Sequence, residues 1–102
     1  MPLGFSSLST IIRKSVGDRF ENYATVSSGW HLRPQVEALE QWLIEHRAEL
    51  DPAFEWVADI GFTHRPGSLG GGPPLSLELF RMCLEANMEI YLSEYGPADG
   101  AA

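Results

Sequence analysis

The chain has a single cysteine, Cys83. No intramolecular disulfide can form, and no zinc site of the usual cysteine-based kind can be built. A reducing compartment suits such a chain. No apolar run approaches the roughly 18 residues that a membrane-spanning helix needs. The start, Met1-Pro2-Leu3-Gly4-Phe5, has no basic stretch followed by an apolar one, so no signal peptide is expected and the expected location is cytoplasmic. Basic residues are also scarce. Seven Lys and Arg stand against 14 Asp and Glu, leaving a net charge of −7. Such a surface repels phosphate backbones and anionic membranes, so neither nucleic acid nor membrane is an expected partner. A basic protein partner is compatible with the charge, and so is plain solubility with no partner at all.

What is present is the composition of a folded domain. Hydrophobic residues make up 44% of 102, with three Trp, five Phe and three Tyr. A chain of this length buries about 65% of its unfolded surface, enough for one core without metals or disulfides.

Residues 1–19 carry the weakest pattern. Leu8, Ile11 and Ile12 would fit one face of a short helix, Arg13, Lys14 and Arg19 make this end locally basic, and Gly17-Asp18 reads as a turn. Phe20 to Leu32 is rich in aromatic and β-branched residues and reads as strand, with a break expected at Ser27-Ser28-Gly29. Arg33-Pro34 opens a helix, because proline suits a first turn in which its missing N–H has no partner anyway. Val36, Leu39, Leu43, His46 and Leu50 recur at helical spacing, widened by Trp42, and Asp51-Pro52 stops the run. From Phe54 to His64 the residues alternate. Phe54, Trp56, Ala58, Ile60 and Phe62 fall on one face, Glu55, Asp59 and Thr63 on the other, with Val57 the exception. Arg65 to Pro74 is a glycine- and proline-rich loop. Ser76 caps a second helix, with a Leu75–Phe80 staple spacing and Asn87 as its left-handed stop. Its buried face is read as Leu79, Phe80, Cys83 and Leu84. Met88, Ile90 and Leu92 then alternate with Glu89, Tyr91 and Ser93 in a last strand, and residues 96–102 have the composition of a flexible tail.

These readings predict one α+β domain over 20–95. It is a two-layer sandwich with two helices packed on one face of a small, mainly antiparallel sheet. The other sheet face is polar and open to a partner, and an unpaired edge would invite dimerisation or strand addition.

Gly17-Asp18, Gly29-Trp30, the first helix, Ile60-Gly61-Phe62, Leu75-Ser76-Leu77-Glu78-Leu79 and Ile90-Tyr91-Leu92-Ser93-Glu94-Tyr95 together resemble a known pattern. Over Ser9 to Tyr95 the chain is similar to the bacterial family called domain of unknown function 4279. The resemblance implies a small bacterial α+β protein and carries no catalytic residues. Members of that family place a further strand and helix before the Gly-Asp turn, where this chain has Met1 to Val16.

Catalytic motifs are missing. Gly70-Gly71-Gly72 lacks the lysine and Ser/Thr of a phosphate-binding loop and the dinucleotide glycine spacing, so it reads as a connector. Ser76 stands at a helix N-terminus, where anions can bind. Gly67-Ser68-Leu69-Gly70 is not a nucleophile elbow. Cys83, among leucines, reads as a buried inert thiol.

The expected function is therefore a non-catalytic interaction module, of the inhibitor or immunity type, that needs no cofactor. Its binding face would be acidic, formed by Glu55, Asp59 and Glu94 with Tyr91 and Tyr95 as rigid contact area, and its partner basic. Two alternatives accompany it. His31 and His64, each next to a strand end and an arginine, would converge with Asp59 as a metal or acid–base site if their strands pair. A structural homo-oligomer through exposed sheet edges is the other.

Overall fold

The computed structural model describes residues 8–64, 67 and 69–96. Residues 1–7 and most of the expected tail lie outside the described residues. The element order is β1 (Leu8–Val16), β2 (Arg19–Gly29), α1 (Leu32–His46), a short 3-10 turn (Arg47–Glu49), β3 (Trp56–Thr63), α2 (Leu77–Ala86) and β4 (Met88–Tyr95). The strands form one sheet in the order β2-β1-β3-β4. The β1–β2 and β1–β3 pairs are antiparallel, and β3–β4 is parallel.

The first segment is a correction to the sequence reading. Leu8, Ile11 and Ile12 are not a helix face and do not precede the domain. They lie in β1, between β2 and β3 within the sheet. Thr10 and Ile12 are buried while Ile11 and Arg13 are only half-buried, which is the period of a strand with one covered face. The β-branched run Thr10-Ile11-Ile12 favours that backbone. The two-residue Gly17-Asp18 turn then feeds β2 directly, so Val16 pairs with Arg19.

Cross-strand pairing shows which side is covered. Ile12 pairs with Ala58, and Ala58 with Ile90; Trp56 pairs with Met88. These side chains meet Val36, Leu39 and Leu43 of α1 and Leu79, Met82, Cys83 and Ala86 of α2 in one core. Both helices therefore cover the same side of a mostly antiparallel sheet, and the α+β two-layer architecture is as expected.

Helix α1 begins where Arg33-Pro34 predicts. Helix α2 has the expected cap, the Leu79 N–H donating to Ser76 Oγ at 3.0 Å, and the expected stop, Asn87 at φ 63°. Its buried face is not the one expected. Leu79, Met82, Cys83 and Ala86 point inward, whereas Phe80 is half exposed and Leu84 is 82% exposed. The true stripe follows i, i+3, i+4, i+7 from Leu79, and the bulk of Phe80 and Leu84 drew the reading about one residue off it.

Strand β2 carries two bulges against β1, between Thr10/Ile11 and Ile12/Arg13. At the second, Tyr23 is the extra residue between Asn22, which pairs with Arg13, and Ala24, which pairs with Ile12. A bulge re-aims side chains. The Tyr23 ring thereby meets Trp56 edge-on at 4.9 Å and Trp42 at 6.5 Å. Its hydroxyl donates to Glu49 at 2.6 Å, which together with His46 holds that carboxyl below its ordinary range.

Candidate functional site

The face of the sheet that no described helix covers is built by the other half of each strand's alternation. β1 contributes Ile11 and Arg13, β3 contributes Val57, Asp59, Gly61 and Thr63, and β4 contributes Glu89, Tyr91, Ser93 and Tyr95. Asp59 stands near its middle. One of its oxygens accepts from Arg13 at 2.7 Å, the other from Ser93 Oγ at 2.8 Å, and Arg13 Nε also donates to Asn22 at 3.1 Å. A polar row therefore crosses all four strands, from Asn22 on β2 to Ser93 on β4.

That geometry changes the expected charge of the face. Asp59 is not a free acidic handle, because the Arg13 guanidinium neutralises it locally. Glu55 precedes β3, and its backbone N–H and C=O both bond Ser15, through the Ser15 side-chain oxygen and N–H respectively. Glu94 is a correction. It pairs with Phe62 in the parallel β3–β4 ladder, so it lies on the helix side and not with Asp59. The residual acidity of the open face comes from Glu55 and Glu89, neither of which has an ion-pair partner among the described residues.

Tyr91 and Tyr95 are where the sequence places them, 52% and 51% exposed. Tyr91 pairs beside Asp59. Tyr95 lies across Gly61, where an added Cβ would meet its ring at 3.3 Å and the Ser9 carbonyl oxygen at 3.4 Å. The glycine is what leaves room for this ring beside β3.

A second feature lies at the carboxyl ends of β3 and β4, mostly toward the helix side of the sheet. A cleft of about 370 Å³ opens between the start of α1, the ends of β3 and β4, and the glycine loop. His31 and Arg33 come from the first, Thr63 and His64 from the end of β3, Glu94 from β4, and Gly70 to Gly72 from the loop. His31 and His64 both line this cleft, although β2 and β3, the strands that precede them, do not pair. Asp59 does not join them, since it is on the other face, and the His31/His64/Asp59 metal or acid–base site is not assembled. Among the described residues no group of three or more His, Cys, Asp or Glu side chains could hold a metal ion.

Other candidates have structural duties. Ser76 Oγ is occupied by the Leu79 N–H and by Glu40, to which it donates at 2.6 Å. Cys83 is buried, and desolvation pushes its thiol up to about 11, the opposite of what a nucleophile needs. Gln35 is a residue that sequence reasoning missed. It is 1% exposed and accepts from Thr10 while donating to the carbonyls of Gly29 and Gly61.

Among the described residues no helix is long and apolar enough to cross a membrane. No protein-family model, curated protein or solved structure matches the chain. The resemblance drawn from the sequence rests on its short motifs alone.

Proposed function

We propose that this protein is a non-catalytic interaction module, of the inhibitor or immunity type, that binds a basic protein partner through the open face of its sheet. The observation that carries the reading is the pair Tyr91 and Tyr95, half exposed on the sheet face that no described helix covers, beside the Arg13–Asp59–Ser93 row. Tyrosines supply large contact area with few rotatable bonds, and a preorganised polar row lowers the ordering cost of binding. Glu55 and Glu89 give the face its negative balance and would steer a basic partner toward it.

The test is capture of the partner with the wild-type chain and with Tyr91→Ala, Tyr95→Ala and Glu89→Lys. The expected result is one stoichiometric basic protein, released as salt is raised and lost or weakened about tenfold or more in each variant. Undiminished capture by all three variants places the interface elsewhere.

Self-association is the competing reading, favoured by the two edge strands β2 and β4, the latter with half-exposed Leu92 and Tyr95. Light scattering showing a monomer at high concentration counts strongly against it.

A further inference from the structure

We infer that the cleft at the carboxyl ends of β3 and β4 binds a small molecule with an oxyanion at one end and an amine or hydroxyl donor at the other. The unpaired charges of the cleft carry this. Arg13, Arg19, Arg47 and Arg81 each meet a carboxylate. Arg33 meets none among the described residues, and its contact is the Gly72 carbonyl at 3.5 Å. Among the described arginines of this chain, whose net charge is −7, Arg33 is thus the exception. Glu94 likewise has no cationic partner among the described residues. Both line the same cleft without pairing with each other. A ligand with complementary ends satisfies both.

Three further observations bear on the cleft, and the first says which end is which. Arg33 and His31 stand at the start of α1, a 15-residue helix with no side-chain cap and no acidic residue in its first turn. Helix α2 has both a cap, Ser76, and an acid, Glu78. The uncompensated positive end of α1 therefore adds to Arg33 in favouring an oxyanion. His31 Nδ1, at that same end, is buried and has no hydrogen-bond partner among the described residues, which is costly for a polar atom. Finally, Gly70, Gly71 and Gly72 all have positive φ, at 126°, 85° and 151°, a backbone conformation that glycine adopts at no steric cost, and none of the three carries a side chain where it lines the cleft.

The location has a physical precedent in open sheets. Ligands collect outside the carboxyl ends of parallel strands, beside the loop that leaves the strand for the crossover helix. β3, the glycine loop, α2 and β4 form such a crossover. The volume is at the lower end for ligand sites, which points to a small metabolite rather than a nucleotide cofactor.

The test is an NMR titration that follows the imidazole signals of His31 and His64 and the amides of Gly70 to Gly72. The probes are O-phosphoethanolamine, inorganic phosphate and β-alanine at fixed ionic strength. The expected result is concerted, saturable shifts with O-phosphoethanolamine, bound about tenfold tighter than phosphate. β-Alanine, with a carboxylate and an amine, reports whether the oxyanion end prefers carboxylate or phosphate. Arg33→Ala weakens every probe by about tenfold, and Glu94→Gln removes only the advantage of the amine-bearing ones. Both side chains are exposed, so both variants should fold, and their amide spectra report this. Absence of saturable shifts at about 10 mM of any probe overturns the proposal. So do shifts unchanged in Arg33→Ala. Equal affinity for phosphate and O-phosphoethanolamine refutes the two-ended ligand.

Discussion

At the scale of single residues, Gln35 has the largest structural role for its size. Its one side chain ties three strands: Thr10 of β1, Gly29 of β2 and Gly61 of β3. Gln35 and Thr10 are almost completely buried. Replacing it by leucine of similar volume leaves the Gly29 and Gly61 carbonyls and the Thr10 hydroxyl without these partners. An unsatisfied buried group costs about 1–3 kcal/mol. Gln35→Leu should therefore lower stability by about 3 kcal/mol, despite being the more hydrophobic residue. Urea denaturation measures this, and a neutral or stabilised variant would mean that the three groups find other partners. The position was invisible to pattern reading for a simple reason. A polar residue beside the apolar stripe of an amphipathic helix looks like the start of its wet side. Only the fold brings three strand groups to it. Asp59 shows the same limit. Its place on the open face is readable from alternation, whereas its neutralisation by Arg13 depends on β1 being the neighbour of β3.

At the scale of elements, legibility follows how many alternatives a pattern admits. β3 alternates in its sequence apart from Val57, and β4 does so from Met88 to Ser93, a period that a helix does not produce. β1 has few apolar residues, and Leu8, Ile11 and Ile12 fit a helical face as well as a strand. Its central place is set by pairing on both edges, which no local pattern reports. Glu94 was misplaced although the alternation of its own strand puts it with Met88, Ile90 and Leu92. The acidic residues were grouped by charge where parity should have decided. Helix α2 has the expected ends, and of the residues read as its buried face Leu79 and Cys83 are buried while Phe80 and Leu84 point outward, because large side chains outweighed position. That correction predicts a contrast. Leu84→Lys should change stability by no more than about 0.5 kcal/mol, as an exposed substitution does. Leu79→Ala, five positions earlier on the same helix, should cost about 3 kcal/mol through lost burial and a cavity. Thermal or chemical denaturation of the two variants decides it, and a large loss from Leu84→Lys would show that the outward face of α2 is covered in solution.

At the scale of the whole molecule, the sheet separates two surfaces. Tyr91, Tyr95 and Asp59 lie on one side; His31, Arg33, His64 and Glu94 lie around the cleft on the other. The strands between them are shared, so Tyr95 of the open face immediately follows Glu94 of the cleft. Adjacent residues of a strand point to opposite faces, and a one-residue step therefore moves from one surface to the other. If the two surfaces work separately, their variants should not interact. Effects at separated sites that share no partners add within about 0.5 kcal/mol. Arg33→Ala should leave capture of a basic partner unchanged, Tyr91→Ala should leave the small-molecule titration unchanged, and the double variant should show the plain sum of the two losses. The informative exception is β4 itself. A ligand that engages Glu94 has direct access to the backbone carrying Tyr95, and Gly61 holds the Tyr95 ring close to β3. Coupling well above 0.5 kcal/mol in a Glu94→Gln/Tyr95→Ala cycle, with none in the Arg33→Ala/Tyr91→Ala cycle, would identify β4 as the element through which the cleft reports to the open face. Additivity in both cycles would mean that the sheet is a rigid divider and that the two binding functions were joined in this small chain without being linked.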